Sequence, residues 1–168
     1  MRHLTLLIAI ALVGCAPSGP DASADLLTEY DAALTEARGV LGAYAADVTT
    51  AADVAAVGAL QIAYVEDMRH AMGDVRHVLE DIDGCEHEGM GTSSVIDAMS
   101  SATGVEDALD ALQEAHAGHT DVSECLDEAT AHEGLVADDL DAMAEHHDDW
   151  DGEMRCGMHD DDMMGHEG

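Results

Sequence analysis

The chain contains no phenylalanine and no lysine, and only two prolines, one tryptophan and three tyrosines among its 168 residues. With so few large rings, any core has to be thin and built from alanine, leucine, valine and methionine. Five arginines stand against 37 acidic residues, so the formal net charge is -32. No basic stripe exists to neutralise phosphates or settle on anionic headgroups, which excludes nucleic acid and leaves cations as the natural small partners. Both prolines, Pro17 and Pro20, lie near the N-terminus. The rest of the chain is free to be helical, and its 29 alanines, with leucine and methionine, favour helices that pack closely. The length fits one domain.

Residues 1–15 read MRHLTLLIAIALVGC. Arg2 and His3 precede an apolar stretch from Leu4 to Val13 that is too short to span a bilayer as a helix, the pattern of a signal peptide. Leu12, Val13, Gly14 and Cys15 resemble a bacterial lipobox. The resemblance implies removal of residues 1–14 and attachment of lipid to the Cys15 sulfur and its new amino group. The alternative is an ordinary secretory leader with a chance cysteine. By the sorting rule of Gram-negative lipoproteins, Ala16 in place of Asp after the cysteine implies the outer membrane. Membrane association then comes from acyl chains alone.

Residues 15–24, APSGPDASA after the cysteine, have the composition of a flexible tether. Apolar residues then recur at steps of three and four through four segments, with a helical body over residues 25–150. The first, about 22–48, carries Leu27, Tyr30, Leu34, Ala37, Leu41, Tyr44 and Val48. The second, about 51–82, carries Val57, Gln61, Tyr64, Met68, Ala71, Val75, Val78 and Ile82, after a capping-box spacing from Thr50 to Asp53. The third spans about 94–118, where Thr103 and Glu106 resemble a second helix start and leave open a break near Ser101. The fourth starts with Asp121 capping toward Glu124 and places Val122, Leu126, Ala129, Glu133, Val136, Leu140, Met143, His147 and Trp150 on its core stripe. Short connections make an all-α, up-down-up-down four-helix bundle the most economical assembly. Residues 151–168 read as an acidic tail rich in Met, His and Cys.

Asp outnumbers Glu 23 to 14, a balance that resembles proteins adapted to high salt. Glu66, His70, Asp74, His77 and Asp81 follow a stripe on the second helix and read as a solvated face. Glu133, His147 and Gln61 on core stripes are different, because an unpartnered buried polar group is costly. They bond each other, hold a metal, or lie near water.

With Cys15 lipidated, three cysteines remain. Helices of roughly 27 residues separate the two poles of the bundle by about 40 Å. Cys85 and Cys156 share one pole and are the feasible disulfide, since a bridge needs Cα atoms within about 7 Å. Cys125 falls at the other pole and is left as a free thiol.

The soft and borderline donors sort by pole. The first pole collects His77, His87, Met90, His146 and His147 with the tail's Met158, His159, Met163, Met164 and His166. Thioether, thiolate and imidazole suit copper, above all Cu(I), and imidazole with carboxylate suits Cu(II), Zn or Ni. The tail's spacing resembles the Met/His-rich tails of bacterial envelope metal-binding proteins, with incidental Met and His in a polar tail as the alternative. At the second pole, His116 and His119 end the third helix while Cys125, Glu128 and His132 share a face of the fourth, as a shared metal requires.

No catalytic constellation stands beside these donors. Glu-x-x-His, His-Glu-x-x-His, Cys-x-x-Cys-His and Gly-x-Ser-x-Gly are all missing. The expected function is that of a non-enzymatic, lipid-anchored envelope protein binding or buffering a transition metal, copper first. The alternative is an acidic structural or interaction lipoprotein without a metal site.

Overall fold

The structure, a computed structural model, describes residues 20–87, 93–116, 119–150 and 154–155. Four helices dominate: α1 (Pro20–Val48), α2 (Val54–Asp83), α3 (Ser93–His116) and α4 (Val122–Trp150). Two short strands, β1 (Glu86–His87) and β2 (Met154–Arg155), flank α3 and α4. The leader, Cys15 and most of the tail lie outside the described residues.

Local chemistry sets the helix ends. α1 begins at Pro20, whose fixed φ and missing N–H suit a first helical position. The helix therefore reaches back into the segment that composition assigns to the tether, and Ser23 is already buried. Thr50 closes α1 by donating its hydroxyl to the Asp47 carbonyl at 2.8 Å and does not cap α2. That role belongs to Asp53, whose carboxylate accepts from the Ala56 N–H at 2.8 Å. α3 runs unbroken past Ser101, because the Thr103 hydroxyl donates to the Met99 carbonyl at 3.0 Å instead of starting a new helix. Asp121 caps α4, accepting from both the N–H and the hydroxyl of Ser123 at 2.7 Å. Those two bonds hold its carboxyl below the usual aspartate range.

The helices pack in a ring in which α1 and α3 each neighbour α2 and α4, while α2 and α4 also touch across the diagonal. This is the all-α, up-down-up-down four-helix bundle. Its core is a column of Leu, Val, Ala and Met closed at each end by rings. At one end Tyr30 tilts against Trp150, with centroids 5.3 Å apart, and its hydroxyl donates to the Met143 carbonyl at 2.9 Å. The Trp150 indole N–H donates to the Ser94 hydroxyl at 2.9 Å, so α1, α3 and α4 are joined there. At the other end Tyr44 and Tyr64 stack at 4.2 Å.

The inward stripe of α4 differs from the expected one. Cys125, Ala129, His132, Val136, Leu140, Met143 and Trp150 are buried, whereas Val122, Leu126, Glu133 and His147 are only partly so. Cys125 and His132 are seven residues apart and in phase with Ala129 and Val136, so both enter the core. A choice by bulk favours Leu126 over Cys125 and shifts the first turns by one residue.

β1 and β2 pair antiparallel, with Glu86 opposite Arg155 and His87 opposite Met154. Cys85, just before β1, is disulfide-bonded. Cys156, the partner expected from the sequence, lies outside the described residues. The periodicity of α4 stops at Trp150, yet the chain beyond it returns to the same pole through this ladder.

Each arginine pairing among the described residues crosses from one helical hairpin to the other. Arg38 on α1 meets Asp141 on α4 at 2.6 Å. Arg69 on α2 meets Asp110 on α3 at 2.5 Å, and Arg76 on α2 meets Glu106 on α3 at 2.9 Å. These pairs are largely exposed, and each is worth no more than about 1 kcal/mol in dilute buffer.

With so large an acidic excess, general repulsion outweighs three exposed pairs. Raising ionic strength from about 0.01 M to about 1 M shortens the screening length from about 30 to about 3 Å and is expected to raise Tm. A Tm that falls across that series, in thermal melts followed by circular dichroism, would mean that the ion pairs matter more than the repulsion.

Candidate functional site

The two poles hold different chemistry. At the second pole, where α1 and α3 end and α2 and α4 begin, polar groups are turned into the core. The His132 ring stands edge-on to both Tyr44 and Tyr64. Its Nε2 lies 3.0 Å from the Tyr64 hydroxyl. A neutral imidazole with Nε2 unprotonated accepts there from the Tyr64 hydroxyl. Burial drives the His132 pKa down to about 4 against the weaker upward pull of Ala108. Burial also pushes both tyrosines up, helped by Tyr44 and Glu133 at Tyr64 and by Glu128, Cys125 and Glu133 at Tyr44.

Gln61 is 4 % exposed and sits beside these rings. Its amide faces the Tyr44 hydroxyl, but neither amide atom nor that hydroxyl makes a hydrogen bond of good geometry. Among the core-stripe polar residues, Gln61 is thus buried and unsatisfied, Glu133 stays half-buried near the tyrosines, and His147 reaches Asp31 at 3.4 Å.

Cys125 is free and fully buried, and burial raises its thiol pKa, with Glu128 and Glu124 adding to the rise. It is neither an exposed thiolate nor turned toward solvent. His119 stands outside the core, 2.6 Å from Glu128 through Nε2 and 3.7 Å from Glu124 through Nδ1. The donors expected to converge here therefore divide: His119 with Glu128 partly buried outside the core, Cys125 and His132 inside. His116 ends α3, and its side chain lies outside the described set.

At the first pole, His146 stacks on Trp150 with centroids 6.1 Å apart, and its Nδ1 is buried without a partner. His77 is exposed on α2, 4.0 Å from Asp81, on the face where Glu66, His70 and Asp74 are also exposed. His87 lies in β1, one residue from Glu86 and opposite Met154. Met90, Cys156, Met158, His159, Met163, Met164 and His166 lie outside the described residues. Among those described, no group of three or more His, Cys, Asp or Glu side chains is arranged to hold a metal ion. Nor is any described helix long and apolar enough to cross a membrane.

The cluster of Tyr44, Gln61, Tyr64 and His132 is the feature that sequence reasoning missed. The tyrosines and Gln61 fall on expected core stripes, but His132 does not. Its signal was the seven-residue step from Cys125, legible only when a histidine is allowed as a core residue.

Comparison of the chain with protein-family models, with curated proteins and with solved structures finds no match.

A folded pKa near 4 lies below the unfolded value of about 6.5, so the unfolded chain binds the proton first. The His132 contribution is complete above about pH 6.5, declines as pH falls toward 4 and is gone below that, a loss of about 3 kcal/mol. Urea denaturation at a series of pH values should show this loss in the native chain and a shallower one in His132→Gln. Parallel curves for the two would remove His132 as the cause.

Proposed function

We propose that the protein is a lipid-anchored envelope protein that binds and buffers a transition metal ion, copper first and zinc or nickel next. The metal is held at the first pole and by the tail that leaves it, through imidazole, thioether and sulfur donors. The observation that carries this reading is the β1–β2 ladder, which ties the start of the Met/His-rich tail beside His87. The tail contributes Met158, His159, Met163, Met164 and His166 from its sequence, and the bundle contributes His146, whose buried Nδ1 has no partner.

Two further points support it. A disulfide at Cys85 fits an oxidising compartment, as does the leader with its lipobox around Cys15. The second pole, by contrast, spends His132 on Tyr64 and His119 on Glu128. That arrangement moves the weight of the metal reading away from Cys125, Glu128 and His132 and toward the tail.

Coordination by neutral imidazole weakens as pH falls through about 6.5, while thioether donors keep their affinity for Cu(I). The outer membrane is the expected site of anchoring, through acyl chains on Cys15.

Native mass spectrometry of the chain from Ala16 onward, titrated with Cu(I), Cu(II), Zn and Ni against a competing chelator, tests the reading. Defined copper stoichiometry that falls when residues 157–168 are removed is the expected result, and that truncation leaves β2 and Cys156 in place. Retention of no metal in either redox state would leave an acidic interaction lipoprotein as the better account.

A further inference from the structure

On the side of the bundle away from α3 and α4, helices α1 and α2 leave a groove of about 450 Å³ between them. Its size is within the range of small-molecule sites. It stays open because Gly39, Ala43 and Ala63 put almost nothing into it, and Val40 and Leu60 make the rest of its walls apolar. Tyr44 and Tyr64 line it while being almost wholly buried, so the stacked pair forms its base. Three exposed carboxylates, Glu36, Asp47 and Asp67, complete the lining, and no arginine or histidine is part of it. Arg38, the neighbour of Gly39, is turned to Asp141 on α4.

We propose that this groove binds an amphiphilic organic cation, an alkyl or aryl ammonium ion, independently of any transition metal. An apolar body fills the space between the helices above the tyrosine pair at its base, and the charged head meets the carboxylates of the lining. An anion is repelled by all three carboxylates. A neutral apolar molecule would cover them without compensation. A transition metal finds only exposed carboxylates there, with no imidazole or sulfur.

The test is calorimetric titration of the full chain with hexyltrimethylammonium and with its neutral isostere, in which carbon replaces nitrogen, at about 0.15 M salt to suppress generic counterion binding. One cation bound per chain, at least about tenfold tighter than the isostere, is expected. Gly39→Leu should abolish it, because Gly39 lines the groove and a Cβ at that position meets nothing within 4 Å. Gly134→Leu on α4, equally unobstructed, should leave it intact, and Asp67→Asn should weaken it several-fold. Equal affinity for cation and isostere would overturn the proposal. So would unchanged binding in Gly39→Leu, equal loss in Gly134→Leu, or many weakly bound cations per chain.

Discussion

Mutual repulsion among carboxylates is the constraint around which this bundle is built. A net charge of -32 on 168 residues leaves no face on which acids can be diluted by lysine. Every helix must therefore present one apolar stripe inward and carry its acids outward, with little freedom to rotate. Among the described residues no Asp, Glu or Arg is buried, and the polar members of the interior are Ser23, tyrosines, a glutamine, a free thiol, the Trp150 indole and a histidine whose burial keeps it uncharged. Desolvation keeps His132 neutral against the weaker upward pull of the Ala108 backbone.

The scarcity of aromatic rings makes their placement consequential. Each end of the core is closed by a small ring cluster, and each cluster also satisfies backbone or side-chain polar groups across helices. The end near Trp150 is fully bonded at its tyrosine and indole. The end near Tyr44 is not, since Gln61 and the Tyr44 hydroxyl remain unsatisfied. Buried polar groups without partners are uncommon in folded proteins, and three such atoms fall at this end, with the His146 Nδ1 at the other.

The fold was legible because the apolar steps of three and four in all four segments survive packing almost unchanged. Tyr30, Leu34, Tyr44, Val57, Gln61 and Tyr64 are buried where periodicity puts them. Helix ends were less legible, since Thr50 and Asp53 are both good caps and only the geometry of the turn selects Asp53. The chemistry was least legible at α4. Cys125, Glu128 and His132 share a helical face by spacing alone, as a metal site would, but spacing does not say whether that face meets solvent or Tyr64. Once Cys125 and His132 are inside, Glu128 is left to His119. Nothing in the one-dimensional pattern announces the β1–β2 ladder either, because two-residue strands carry no period.

The distribution of arginine bears on the order of assembly. α1 with α2, and α3 with α4, are hairpins whose partners are near in sequence and need no cationic bridge among the described residues. The seam between the hairpins is where Arg38, Arg69 and Arg76 lie, and His147 with Asp31 falls on it as well. Two strongly negative hairpins must meet along that seam, and the contacts that join them are non-local, so their closure is the slower event. Counterions therefore act most on the docking of one hairpin against the other and least on the hairpins themselves. The few arginine pairs, weak singly, all lie along the seam where that docking takes place.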